Sequence, residues 1–92
     1  MAHTVEEKKR LLNRARRIRG QMDVIVRTLE EESDCSDTLH AISMCRGALD
    51  SLMAEVIEGH IRFHVLDQKR DPTDEQTKAA EELIDALKTY LK

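Results

Sequence analysis

The apolar residues of this chain recur every three or four positions, which is the spacing of one face of an α-helix. In the first third of the chain this stripe comprises Leu11, Ala15, Ile18, Met22, Ile25 and Leu29. A capping-box pattern at residues 4–7 predicts the start of helix 1, and the polar run 31–34 predicts its end near residue 31. No stretch alternates with the two-residue period of a strand, so the pattern predicts an all-α fold.

A second stripe predicts helix 2, which should begin near residues 34–36, with Asp34 or Ser36 as the N-cap, and continue to about Val65. Its members are Ile42, Cys45, Leu49, Leu52 and Val56. The segment 71–74 then has the order of an N-cap (Asp71), a proline at the first helical position and an acid in the first turn. It predicts helix 3, which carries Ala80, Leu83, Ile84, Leu87 and Leu91.

Helices 1 and 2 should have similar lengths and a short polar link, which favours an antiparallel hairpin within a single domain, residues 1–92. A bend near residue 34 would place position 3 opposite position 65 or so. Phe63 and Tyr90 are the only aromatic residues, so the core of one protomer would be thin. We therefore expect helices to pack across subunits in a homo-oligomer.

Several sequence features indicate where the protein acts. The first residues are polar and acidic, unlike a signal peptide, and no apolar run is long enough to span a membrane. Two cysteines without a secretory signal favour reduced thiols. The sequence therefore predicts a cytoplasmic protein with no membrane partner.

The net charge of −3 conceals an uneven distribution of charge along the chain. Residues 1–30 carry 8 basic and 4 acidic side chains, whereas residues 31–92 carry 7 basic and 14 acidic ones. Between Lys8 and Arg19 there are seven basic residues and no acidic one. An ordinary solvated face is the alternative, but so dense a basic run in an acidic chain favours contact with the phosphates of double-stranded DNA.

The basic residues divide between two flanks of the predicted helix. At about 100° per residue, Arg10, Arg14 and Arg17 share one strip beside the apolar stripe. The other flank carries Lys8, Lys9, Arg16 and Arg19. No short recognition helix of a helix-turn-helix is evident, so contact with the phosphate backbone is the expected mode.

Candidate metal ligands lie near the end of helix 2. His60 and His64 are four residues apart, so one helix face presents both rings to a single ion. The hairpin would bring His3 to the same end. A lone histidine pair is more often an ordinary surface feature, but a third histidine placed there by the fold favours metal.

Cys35 lies at the opposite end of helix 2. Twenty-five residues of α-helix separate it from His60, about 37 Å at the usual rise. The two could share an ion only if helix 2 packed antiparallel against helix 2 of a second subunit. Spacing alone leaves an unreactive thiol as the better interpretation. Cys45 is expected in the core, and His40 in solvent.

The chain resembles the CsoR/RcnR family of bacterial repressors over essentially its whole length. The matching stretches are residues 14–21, Cys35, residues 46–48 and residues 52–60. The resemblance implies a three-helix protomer, an antiparallel dimer and a tetramer built from two dimers. It also implies operator binding without ligand, release with ligand, and DNA contact by Arg14 and Arg17.

Branches of the family differ in their sensing residues. Copper-sensing members have a cysteine where this chain has His64. Formaldehyde-sensing members pair the cysteine that matches Cys35 with a proline where this chain has Ala2. The nickel/cobalt-sensing branch has His3, Cys35, His60 and His64, and all four stand here. The resemblance thus implies Ni(II) or Co(II), with Zn(II) also compatible with these ligand types. Removal of Met1 would free the amine of Ala2 as a further ligand.

Two alternatives remain open at this point. The same scaffold could sense formaldehyde or another electrophile through Cys35, or the chain could be a helical interaction module without a DNA role. An enzyme is not expected, because the sequence has no compact nucleophile–base–acid arrangement and no phosphate-binding loop. By analogy with the family, the regulated gene would encode metal efflux.

Overall fold

The structure is a computed structural model that describes residues 5–65 and 71–91, without the side chains of residues 64 and 65. It contains α1 (Val5–Glu30), α2 (Cys35–His60), a π-helical turn (Ile61–Val65) and α3 (Asp74–Tyr90). The described residues include no strand, which confirms the all-α prediction. The predicted capping residue of helix 1, Thr4, lies outside the described residues.

α1 and α2 form the predicted antiparallel hairpin. Near the bend, the Thr38 hydroxyl donates to the Thr28 hydroxyl over 3.2 Å. At the far end of the hairpin, the Glu7 carboxylate lies so close to the buried Gly59 that a Cβ built there would be 2.7 Å from its Oε1. The bend uses Glu32, whose φ of 53° is left-handed. The register of the hairpin therefore brings the beginning of α1 to the end of α2.

The last turn of the second helix differs from the prediction in type but not in extent. Helical backbone continues to Val65 as expected, but α2 ends at His60 and the final turn is a π-helix. A π-turn closes its hydrogen bonds over five residues instead of four, so each residue rotates the chain less than in an α-helix. The periodicity of apolar residues does not encode such a local change.

The start of α3 corrects the predicted cap. Thr73 is the N-cap, and not Asp71 as the sequence pattern indicated. The Gln76 amide donates to the Thr73 hydroxyl over 3.1 Å, and the Thr73 amide donates to Gln76 Oε1 over 3.0 Å. This reciprocal pair satisfies two otherwise unpaired donors. Pro72 therefore precedes the cap instead of opening the helix.

The best-packed part of the protomer joins α3 to the end of α2. Ile61, Ala80 and Ile84 are buried together, and Ile57 and Leu87 pack against them. An ion pair of 3.1 Å between Lys88 Nζ and Glu58 Oε2 reinforces this junction. α3 thus supports the segment that bears His60.

The hairpin itself is a single layer. The protomer measures 56 × 27 × 12 Å, and its smallest dimension is about the diameter of one helix. Its radius of gyration is 17.3 Å, whereas a compact chain of this length would have about 12 Å. Much of the predicted apolar stripe stays exposed, including Met22, Leu49 and Met53, each 47% accessible. A single layer cannot bury both of its faces, so these residues form an uncovered apolar face.

No helix among the described residues combines the length and apolar character needed to cross a membrane.

Candidate functional site

The basic run lies on α1. Its members are exposed except for Arg14, which is half-buried. Arg10, Arg14 and Arg17 line one open groove of about 490 Å³ together with Glu6, Lys9 and Asn13. The shared strip predicted from the 100° rotation is therefore present. The prediction that Lys9 lies on the other flank is wrong, because positions 9, 13 and 17 are four residues apart and share one face of the helix. Arg16 and Arg19 are exposed but do not line this groove.

Arg14 differs from the rest of the basic run because α2 holds its guanidinium. Arg14 Nη1 lies 2.6 Å from Glu55 Oε1, and Arg14 Nη2 donates to Ser51 Oγ over 2.6 Å. The other carboxylate oxygen, Glu55 Oε2, is buried and has no hydrogen-bond partner among the residues that the structure describes. The sequence analysis missed both partners of Arg14, although the hairpin register that pairs residue 14 with residues 51–55 could have indicated them.

The histidine pair straddles the change from α-helix to π-helix. His60 is the last residue of α2 and is exposed, and the backbone of His64 lies in the π-turn. Because each residue of a π-turn rotates the chain less, a spacing of four comes closer to one full turn than in an α-helix. The two backbone positions therefore remain on one side of the helix. The side chain of His64 is outside the described residues.

Cys35 is exposed at the first residue of α2. The 26 residues from Cys35 to His60 form one uninterrupted α-helix, so about 37 Å separates the two along its axis. Within a protomer, the described residues contain no group of three or more histidine, cysteine or acidic side chains able to hold a metal ion. The predicted ligands His3 and Ala2 lie outside the described residues. Thus one protomer does not bring Cys35 and His60 together.

Cys45 and His40 lie where the sequence analysis expected them, in the core and in solvent. Cys45 is 3% accessible and packs inside the hairpin, and His40 is exposed. They provide a second cysteine and a second histidine on α2 outside the candidate ligand set.

Charged side chains connect α3 to the histidine end of α2. Glu58 Oε1 accepts from Arg62 Nε over 3.3 Å, and Glu58 Oε2 pairs with Lys88. Burial raises the pKa of Glu58, but the hydrogen bonds and charges of Lys88 and Arg62 outweigh it and hold the pKa below its ordinary value. Glu58 is therefore charged at neutral pH and fixes α3 beside His60. The sequence pattern did not single out this cluster.

Known proteins provide an independent comparison. The sequence model of a family described as metal-sensitive transcriptional repressors matches residues 7–89. The chain is 35% identical to the transcriptional repressor RcnR of Citrobacter koseri and 40% identical to an uncharacterized protein in the bioA 5' region of Serratia marcescens. Both alignments cover 92 residues and the full length of each chain.

A solved structure is similar as well. It is a glutamate-to-histidine variant of the formaldehyde-responsive regulator FrmR from Salmonella enterica serovar Typhimurium. The two chains are 36% identical and superpose with a TM-score of 0.69, over 98% of this chain and 99% of the other. The family consists of repressors and not of enzymes. From its matching sequence, full-length relatives and shared fold, this chain belongs to the family of metal-sensitive transcriptional repressors.

Proposed function

We propose that this protein binds operator DNA in the absence of metal and releases it on binding Ni(II) or Co(II), which derepresses a metal efflux gene. The observation that carries this proposal is the geometry of α2, which bears Cys35 and His60 at opposite ends of one unbroken helix. These residues can form one site only when two copies of the helix run antiparallel.

The exposed apolar surface supports such a dimer. A groove of about 630 Å³ is lined mainly by apolar residues of α1 and α2, among them Met22, Ile42, Leu49 and Met53. A second hairpin packed here about a two-fold axis would bury the stripe. It would also bring Cys35 of each chain to His60 of the other. The tetramer is proposed from the family resemblance alone.

The proposed ligands are Cys35 of one chain with His60, His64, His3 and the amine of Ala2 from the other. The hairpin register supports the last two, because Glu7, near the start of α1, lies against Gly59, next to His60. One thiolate with several imidazoles suits Ni(II) and Co(II), and Zn(II) is compatible with the same donors.

The basic residues of α1 supply the proposed DNA interface. Arg10, Arg14 and Arg17 share one groove, and Arg16 and Arg19 extend the charge beside it. Metal binding that draws the first residues into the coordination sphere would shift the helix bearing these basic residues. By linkage, the metal must favour the DNA-free arrangement, and DNA must weaken metal binding by the same factor.

A second candidate function is formaldehyde sensing through Cys35. The similarity to the formaldehyde-responsive FrmR variant and the exposure of the Cys35 thiol favour it. Ala2 counts against it, because formaldehyde-sensing members of the family have a proline at that position.

The proposal is tested by metal-driven release of DNA. An operator is selected from a random-sequence duplex pool with metal-free wild-type protein, and the complex is titrated with Ni(II). Cys35→Ala should bind this duplex but fail to release it, whereas Cys45→Ala, a matched control on the same helix, should release it normally. Wild-type protein that selects no duplex would refute the DNA function, and normal release by Cys35→Ala would refute the ligand assignment.

A further inference from the structure

Arg14 lies at the boundary between two surfaces of the hairpin. On one side it lines the groove of the basic residues Arg10 and Arg17. On the other it lines an interhelical pocket of about 260 Å³ with Ser51 and Glu55. Its guanidinium occupies the second side, where both of its terminal nitrogens contact α2 at 2.6 Å. The open groove provides space for a different placement of the same side chain.

The contact with Glu55 neutralises a charge that DNA would use. A carboxylate at 2.6 Å is the same kind of acceptor as a phosphate oxygen, and arginine pairs strongly with either. The side chains of Arg14 and Glu55 are 31% and 27% accessible, so water screens this pair less than a fully exposed one. Arg14 therefore already has an anionic partner before any DNA arrives.

The same contact is incomplete on the side of Glu55. Only Oε1 is paired with Arg14, and within the described part of the chain the buried Oε2 meets no hydrogen-bond donor. Because only one oxygen is paired, the contact lacks the bidentate geometry in which arginine–carboxylate pairs are strongest. The buried acceptor without a donor also costs free energy. An external phosphate can consequently compete for Arg14.

We propose that Glu55 is an internal counter-anion of Arg14 that competes with DNA phosphate and so sets the affinity for DNA and its salt dependence. This rests on the proposed DNA-binding function. When DNA binds, Arg14 exchanges Glu55 for a phosphate and the phosphate releases a bound cation. To the extent that Glu55 retains Arg14, the facing phosphate keeps its cation, so wild-type protein releases fewer cations on binding DNA than a protein whose Arg14 has no internal carboxylate partner.

The test compares Glu55→Gln with wild-type protein on a mixed-sequence duplex over a range of salt concentrations. Glutamine keeps the shape of the side chain but removes its charge. We expect several-fold tighter binding at low salt, and a plot of log affinity against log salt that is steeper by up to about 0.9 for each Arg14 engaged. Ser51→Ala, which removes a neutral acceptor only, should tighten binding less and leave the slope unchanged.

Two controls separate this effect from a general change in net charge. Glu82→Gln removes one negative charge from an exposed position on α3. Its effects on affinity and on the salt slope should both be much smaller than those of Glu55→Gln. Glu55→Gln should also have no effect in an Arg14→Ala background, because its action passes through Arg14.

Three results would overturn the proposal while leaving DNA binding intact. These are unchanged affinity in Glu55→Gln, weaker binding in Glu55→Gln, and a gain that persists without Arg14. Weaker binding would mean that Glu55 positions Arg14 for DNA instead of competing with it. If neither wild-type protein nor Glu55→Gln binds any duplex, the proposed function fails and this inference fails with it.

Discussion

Mixing two inactive variants tests whether the metal site is shared between chains. Cys35→Ala protomers keep His60, and His60→Ala protomers keep Cys35, so neither variant alone can form a complete site. In a mixed antiparallel dimer, one site pairs the two substituted positions and the other pairs the two intact residues. Coexpression or joint refolding should therefore restore tight Ni(II) binding that both variants lack.

The expected magnitude follows from the length of α2. Ligands of one ion lie within roughly 4 Å of each other, given metal–sulfur and metal–nitrogen bonds near 2 Å. The unbroken helix separates Cys35 from His60 by about 37 Å, so a site within one chain is excluded. Random mixing makes about half of the dimers mixed, each with one intact site, so about a quarter of the wild-type number of sites should return.

The assay is the thiolate charge-transfer absorption of bound Ni(II), measured against total protein. Mixing Cys35→Ala with His40→Ala is the matched control, since His40 is exposed on α2 outside the ligand set. That mixture should show about half of the wild-type sites, because intact dimers of the His40 variant contribute as well. If mixed dimers form but no band returns from the Cys35 and His60 variants, the cross-subunit geometry is wrong.

Three further predictions concern the DNA surface and the stability of the fold. Arg14→Ala and Arg17→Ala should each weaken operator binding without changing metal affinity in free protein. The slope of log affinity against log salt should flatten by up to about 0.9 for each phosphate that the variant no longer neutralises. Wild-type affinity together with an unchanged slope in both variants would make the basic run a solvated face. Ile84→Ala removes a side chain that is 2% accessible and should lower the free energy of unfolding by about 2–5 kcal/mol in urea titrations; a decrease well below this would mean that α3 is loosely held. The lowered pKa of Glu58 means that its charge stabilises the fold at neutral pH and that this contribution disappears as pH falls below the ordinary glutamate range. The stability difference between wild type and Glu58→Gln should therefore shrink on acidification, and a difference independent of pH would contradict the ion pair with Lys88.

The fold was largely predictable because helical periodicity is a local signal. The three helices, the hairpin and the buried Cys45 all follow from apolar spacing and short links. The cap of α3 was predicted wrongly because Asp71 and Thr73 both have capping side chains. Only the reciprocal hydrogen bonds with Gln76 decide between them.

The candidate site was predictable in part. Spacing places Arg10, Arg14 and Arg17 on one face, and the structure agrees. The contact of Arg14 with Glu55 depends on the rotation of two helices about their axes, which no single-helix pattern specifies. The proposed metal site needs a second subunit, so its ligands stay a proposal drawn from helix length, hairpin register and family resemblance.

The most direct test of the central claim is the release of operator DNA in parallel titrations with Ni(II), Co(II), Zn(II), Cu(I) and formaldehyde. A ligand set of one thiolate and several imidazoles predicts release by Ni(II) and Co(II) at low concentration, with loss of the response in Cys35→Ala and His60→Ala but not in His40→Ala. Release by formaldehyde alone, or by Cu(I) with no response to Ni(II) and Co(II), would contradict this account.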